Sequence, residues 1–267
     1  MKKYVSFLLV LFVSLFLFLP AHAQQRKSVA VVLSGGGAKG VAHIGALKVI
    51  EEAGIPIDYI VGTSMGSIIG GLYSIGYTPC QLDSMVNHQN WSFLLSDRIS
   101  WEDQTMTERK NSETYILSVP LKKDLKANVF GGVIKGQNLG NLFSELTVGY
   151  HDSINFNKLP IPFACVSENI VNGEEVVFHN GVLATAMRAS MAIPGVFTPV
   201  RMGDEILVDG GMKNNFPTNI ARAMGADVII GVDVQNDLRT ADELNNLGEI
   251  FNQIINLTGQ TRYEENI

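Results

Sequence analysis

The stretch Asp58-Tyr-Ile-Val-Gly62-Thr63-Ser64-Met65-Gly66 constrains this chain more than any other. A short apolar run delivers a serine with glycine two residues away on either side, and the pattern of a buried helix, Ser67-Ile-Ile-Gly-Gly-Leu-Tyr-Ser-Ile-Gly76, follows it. In a G-x-S-x-G turn the serine sits on a sharp strand-to-helix bend, and the glycines keep side chains from colliding where the backbone doubles back. Its hydroxyl then stands at a helix N-terminus, where N–H groups and the helix dipole favour the negative charge that develops during acyl transfer. The plainer alternative is a glycine-rich turn with an incidental serine, so the rest of the chain has to decide.

A second glycine-rich turn lies just upstream. The apolar run Val29 to Leu33 leads into Gly35-Gly36-Gly37-Ala38-Lys39-Gly40, and helical spacing follows over Val41 to Ala53 (Val41, Ile44, Leu47, Ile50) until Gly54. Ser34 to Thr63 therefore reads as one βαβ unit. As a pattern, G-x-G-x-x-G is also the dinucleotide fingerprint, which needs an acid about 20 residues on, at the end of the second strand. Here Asp58 starts that strand, and Gly62, Thr63 and Ser64 occupy its end. A phosphate-binding P-loop is excluded because Val41 follows Gly40 where Lys and Ser/Thr are required. Two parallel strands end on one edge of a sheet, so both turns face a shared crevice. N–H groups of Gly36, Gly37 and Ala38 would there serve as an oxyanion cradle for chemistry at Ser64. Lys39 either adds positive charge or is a solvated lysine at the start of the helix.

The same alternation of apolar runs and helical stretches continues, and it predicts an α/β fold with a mostly parallel central sheet covered by helices. Further strands are expected at Phe163 to Val166, Val176 to Phe178, Ile206 to Val208 and Val228 to Val232. Helices are expected at Gln137 to Thr147, Gly181 to Ala189, Asn215 to Met224 and Ala241 to Leu257. The segment Trp91 to Asn128 is irregular apart from a strand-like Thr114 to Val119, and reads as either a lid or a surface excursion. Residues 1–23 carry Lys2, Lys3, an apolar run from Tyr4 to Pro20 and Ala21-His22-Ala23, the pattern of a secretory signal peptide. The expected organisation is thus a signal peptide (1–23) and one domain (24–267), with a core of about 28–234 and a helical extension at 241–267. Export would place the protein in the periplasm, at an outer membrane or outside the cell.

Charge narrows the partners. Loss of Lys2 and Lys3, with no acid, takes the formal charge from -6 to -8, which disfavours nucleic acid as a partner. Cys80 and Cys165 are the only cysteines, too few for a disulfide framework and not spaced as a metal site, and they are expected as separate thiols.

A nucleophilic serine needs a base. Four histidines follow the signal segment: His43, His88, His151 and His179. Chain order in α/β-hydrolases makes His179 a candidate, paired with an upstream acid such as Asp152, and His43 lies one turn into the glycine-rich helix. The stronger candidate is Asp209 in Leu207-Val-Asp209-Gly210-Gly211, an acid at the end of an apolar strand whose glycines let the backbone turn tightly. A carboxylate is a weaker base than imidazole unless burial raises its pKa.

With these pieces in order, the chain resembles the patatin-like phospholipases, lipid acyl hydrolases with a Ser-Asp dyad. The resemblance rests on Gly35 to Gly40, on Gly62 to Gly66, on Asp209-Gly210-Gly211, and on the block Ala189-Ser-Met-Ala-Ile-Pro194-Gly-Val-Phe197 that precedes the aspartate. Asn214-Asn-Phe-Pro217 and Met224-Gly-Ala-Asp-Val-Ile-Ile extend it to about Ser28–Val234. It implies a three-layer α/β/α sandwich related to cytosolic phospholipase A2, Ser64 as nucleophile, Asp209 as general base, Gly36, Gly37 and Ala38 as oxyanion donors, no metal and no cofactor. Membrane lipids or lipid esters are the implied substrates. Bacterial secreted relatives often continue into periplasmic repeats and an outer-membrane barrel, which would follow here if the chain is a fragment. The chain departs from the family in having Ser34 where many members have aspartate, and Val166-Ser167-Glu168-Asn169 where bacterial relatives often carry Ala-Thr-Asp. Two other readings remain open: a catalytically silent lipid-binding module, and a non-lipid serine esterase or peptidase with a histidine base.

Overall fold

The computed structural model describes residues 26–100, 102–114, 134–235 and 238–245, together with 249, 253, 256 and 257. The proposed signal peptide lies outside the described residues, as do Tyr115 to Val119 of the strand-like run and most of the helix expected at 241–257, where a 3-10 turn forms at Ala241–Glu243.

The first half of the chain runs β1 (Val29–Leu33), α1 (Ala42–Glu52), β2 (Tyr59–Thr63), α2 (Met65–Ser74), α3 (Pro79–His88), α4 (Trp91–Leu94), α5 (Met106–Thr114) and α6 (Gln137–Leu146). The second half runs β3 (Ile154–Asn155), β4 (Phe163–Asn169), β5 (Glu174–Phe178), β6 (Asn180–Gly181), α7 (Leu183–Ser190), β7 (Val200–Met202), β8 (Glu205–Asp209), α8 (Thr218–Ala223) and β9 (Val228–Val232). The main sheet is ordered β7-β8-β4-β2-β1-β9, with β5 also pairing with β4. Its centre, β9, β1, β2 and β4, is parallel, while β5, β8 and β7 are antiparallel additions.

Alternating side chains divide the interior into two cores, as the period of two in a strand requires. Val31, Leu33, Ile60, Phe163, Cys165 and Leu207 share one core with Leu47 of α1, Ile69 and Leu72 of α2, Phe143 of α6 and Met187 of α7. Ala30, Val32, Val61 and Ala164 face the opposite way and pack with Phe216 and with Ala221 of α8. Helices therefore cover both faces, giving three layers. Cys80 is exposed and Cys165 buried, and neither forms a disulfide.

Several boundaries differ from the sequence expectations for identifiable reasons. β4 runs on to Asn169 rather than stopping at Val166, because β8 takes over pairing with β4 where β2 stops. The helix expected from Asn215 begins only at Thr218: Pro217 disfavours helical backbone at the residue before it, so Asn214 and Asn215 stay in a turn. Thr114 closes α5, whose start is fixed by reciprocal bonds between Thr105 and Glu108, rather than opening a strand. A similar capping box, Thr78 with Gln81, and Pro79 in the first turn set α3.

Candidate active site

The apolar residues of β2 carry the backbone straight into Ser64, which adopts φ 53° and ψ -122°. It is the one non-glycine residue with positive φ among the described residues, a conformation of order 1–3 kcal/mol above the ordinary wells. Closeness of the backbones explains the flanking glycines. A Cβ on Gly66 would run into the carbonyl groups of Leu33 and Ser34 at the end of β1, and one on Gly62 would strike the Gly66 carbonyl. The bend is held by hydrogen bonds. The Ser64 N–H donates to Ser190 Oγ at 2.9 Å, and that hydroxyl donates in turn to the Val166 carbonyl at 2.6 Å. The Ser64 carbonyl accepts from the Ser67 N–H at 2.9 Å and from Ser67 Oγ at 2.6 Å.

Asp209 arrives from β8. Strand β4 pairs Val166 with Thr63 and the next residue, Ser167, with Asp209, so the ends of β2 and β8 abut along one strand. Ser64 Oγ donates to Asp209 Oδ2 at 2.6 Å, and the Gly211 N–H donates to Oδ1 at 2.7 Å. The Asp209 N–H is anchored on the Ala192 carbonyl at 3.0 Å. Burial leaves Asp209 only 4% exposed and pushes its pKa up to about 6, although the bonds from Ser64 and Gly211 pull the other way. At neutral pH such a carboxylate is ionised yet more basic than a free aspartate, which suits it to accept the Ser64 proton.

The glycine-rich turn supplies the facing wall. Gly35 donates its N–H to the Asn215 carbonyl and Lys39 donates its N–H to the Gly36 carbonyl, which leaves Gly36, Gly37 and Ala38 on the turn between these two bonds. All three line a cavity of about 430 Å³ together with Ser64, Asp209 and Gly211. Their N–H groups open a 3-10 turn at Gly37–Val41 and have no partners within its first turn, the usual condition of an anion site. Lys39 lines the same cavity at its exposed side, and Gly40 packs under Met65. Asn215, Gln235, Arg239 and Asn256 complete the wall. Asn215 Nδ2 donates to Gln235 Oε1 at 2.7 Å, while Gln235 Nε2 is a buried donor with no hydrogen bond among the described residues.

None of the candidate histidines hydrogen-bonds to Ser64 or Asp209. His43 is buried, its Nε2–H donating to the Ser34 carbonyl at 2.8 Å, and burial lowers its pKa, so it is a neutral brace between the glycine loop and α1. His179 is likewise kept neutral by burial. Asp152, considered as its acid, stands exposed beside His151 at 3.9 Å instead. His88 donates from Nδ1 to the Ser84 carbonyl on the surface of α3. Among the described residues no three His, Cys, Asp or Glu side chains cluster as a metal site would require.

Residue-level reading missed two groups. Ser190 lies in the block before the aspartate, but nothing local marks its hydroxyl as the partner of Ser64. Gln235 follows the last strand with no motif at all. At the divergent segment of β4, Ser167 Oγ and Glu168 Oε2 are buried without hydrogen bonds among the described residues, and burial raises the Glu168 pKa against the pull of Lys213.

Comparison with known proteins follows the same residues. A family model described as "Patatin-like phospholipase" matches residues 31–222. Rat patatin-like phospholipase domain-containing protein 7 is 30% identical over 86% of this chain, and the yeast (Saccharomyces cerevisiae) protein named lysophospholipase NTE1 is 30% identical over 87%. The matched regions are only 15% and 13% of those two proteins. Among solved structures, VipD from Legionella pneumophila aligns with TM-score 0.50 and 15% identity, over 77% of this chain and 49% of that one, a likeness of fold.

Proposed function

The chain belongs to the patatin-like phospholipase family, and from that premise we propose that it is a serine hydrolase of lipid esters in which Ser64 attacks and Asp209 accepts its proton. Ser64 Oγ adds to the ester carbonyl carbon as its proton passes to Asp209 Oδ2, and the carbonyl oxygen becomes an oxyanion held by N–H groups of Gly36, Gly37 and Ala38. Collapse expels the alcohol, which takes the proton from Asp209 and leaves an acyl-Ser64. Water then gives a proton to Asp209, attacks the acyl carbon, and the second collapse returns the proton to Ser64 Oγ and frees the fatty acid. Helix α2 supports both steps by presenting its positive end at Ser64.

The observation that carries this reading is the 2.6 Å bond from Ser64 Oγ to Asp209 Oδ2, in a site where, among the described residues, no histidine hydrogen-bonds to either one. The export pattern at residues 1–23 supports action on lipids outside the cytoplasm. The test is fluorophosphonate labelling together with fatty-acid release from phospholipid vesicles, for the wild type, Ser64→Ala and Asp209→Asn. Labelling and release vanish with Ser64→Ala, and release collapses with Asp209→Asn. Near-full turnover by Asp209→Asn, with loss on His43→Gln or His179→Gln, would overturn the dyad in favour of a histidine-based esterase. A folded wild-type protein that takes no label would be a binding module.

A further inference from the structure

Ser64 and Asp209 are joined by more than the bond between their side chains, and we propose that Ser190 is a positioning residue for the reaction. Its hydroxyl keeps Ser64 in the conformer that lays Oγ on Asp209. The inference rests on the hydrolase reading above. Ser190 is the last residue of α7 and is fully buried. A hydroxyl has one proton to give, and this one goes to the Val166 carbonyl at 2.6 Å, which leaves a lone pair facing the Ser64 N–H at 2.9 Å. The same short turn holds the base: two residues on, the Ala192 carbonyl accepts the Asp209 N–H at 3.0 Å. The Val166 carbonyl in turn lies against Gly210, where a Cβ would strike it. Ser190 therefore sits at the joint where the serine bend, β4 and the aspartate turn meet.

Ser64 needs such a hold. Its φ of 53° lies where side-chain-bearing residues seldom settle. Strain of this kind and the worth of a buried hydrogen bond are of the same order, so the Ser190 bond is large enough to decide which conformer Ser64 occupies. Relaxation of φ would turn the Cα–Cβ bond relative to β2 and carry Oγ away from Asp209. In some serine hydrolases the nucleophile's own N–H serves the oxyanion. Here it is committed to Ser190, and the glycine-rich turn is left with that task.

The support itself is stiff. Arg188, two residues earlier, donates from Nη2 to the Lys135 and Thr198 carbonyls at 2.9 and 3.1 Å, and its guanidinium lies 5.2 Å from the centre of the Phe197 ring. A group carried on a packed helix fixes a reacting atom more closely than one on a loop. The hold also reaches the base. The bond from Ser64 favours the ionised form of Asp209 against the effect of burial, so a Ser64 set loose leaves a carboxylate that protonates at higher pH.

The test compares Ser190→Ala with Ser74→Ala on p-nitrophenyl butyrate, with kcat expressed per site titrated by fluorophosphonate. Ser190→Ala lowers kcat roughly 10- to 100-fold, the scale of a buried donor left without its partner, and leaves KM within about twofold. Its acid limb in kcat/KM moves to higher pH than the wild-type limb near 6. Ser74→Ala strips an equally buried hydroxyl, bonded to the Gly70 carbonyl at 2.7 Å in α2, and keeps the wild-type kcat and limb. Ser190→Cys, whose thiol is a weak acceptor, moves both quantities in the same direction by less, and it carries the test if Ser190→Ala does not fold. Wild-type kcat in the folded Ser190 variants overturns the proposal. A lower kcat with an unmoved acid limb also overturns it, since lost packing alone would do that. A wild type that cleaves no ester and takes no label overturns the hydrolase reading and the positioning role with it, whereas an active wild type matched by Ser190→Ala rejects the positioning role alone.

Discussion

Asp58 and Asp209 stand at opposite edges of the same sheet and are held in opposite ways. Asp58, just before β2, takes both guanidinium N–H groups of Arg26 at 2.6 Å and the Val29 N–H at 2.8 Å, with a quarter of its side chain in water. Its pKa is lowered, chiefly by the hydrogen bonds from Arg26. Asp209 is buried, receives one N–H and one hydroxyl, and has no cation within ion-pairing distance among the described residues. Its pKa rises. One carboxylate ties the segment just before β1 to the sheet; the other is left basic, which costs stability and, in the proposed mechanism, fits it to take the Ser64 proton.

The largest separation between them should appear in turnover. Asp209→Asn is expected to lower kcat on a soluble short-chain ester by roughly 10⁴-fold, the scale seen when a member of a catalytic unit is removed. Asp58→Asn should stay within about twofold of wild type in the same assay, and a comparable loss there would erase the contrast. Next comes pH. If Asp209 must be ionised, kcat/KM falls about tenfold per pH unit below about 6 and levels off above it, in wild type and Asp58→Asn alike. An acid limb near 4 would show that burial does not set the base.

Stability should move in opposite directions. For Asp209 the folded pKa lies above the unfolded one, so its contribution is full below the unfolded value near 3.8 and is lost as pH rises through about 6. Asp209→Asn removes that burden at neutral pH and is expected to raise the unfolding free energy by as much as roughly 3 kcal/mol in denaturant titrations, an advantage that disappears below pH 4. For Asp58 the folded pKa is the lower, so its contribution exists above the unfolded value and is lost as pH falls through the folded one. Asp58→Asn should therefore cost about 1 kcal/mol at pH 7 and progressively less in acid, the smallest effect of the set. Equal signs for the two variants at pH 7 would contradict the comparison.

How much of this was legible depended on how local the cause is. The βαβ unit from Ser34 to Thr63 and the bend at Ser64 follow from near-neighbour patterns: apolar runs, helical spacing, and glycines placed where backbones touch. Strand ends were blurred because they depend on partners, as at β4, which runs on past Val166 where β8 takes over its pairing from β2. Short β7, with Arg201 and Met202 exposed, carries too little apolar alternation to announce itself. At the site, Asp209-Gly210-Gly211 marked a strand end, but the bond from Ser64 to Ser190 spans 126 positions and has no local signature. Gln235 was invisible for the same reason: only the folded chain brings it to Asn215.

The neighbouring registers on β4 have a further consequence. Ser64 and Asp209 are 145 positions apart in the chain, yet their spacing is ruled by a single step of backbone, from Val166 to Ser167. The intervening length is then free to be rewritten. Longer loops, inserted modules or relocated chain ends between α2 and β4 would leave oxygen facing oxygen, while a one-residue slip within β4 would turn the strand's faces over and part them. A lineage built on this arrangement can change what surrounds the reaction without reinventing the reaction.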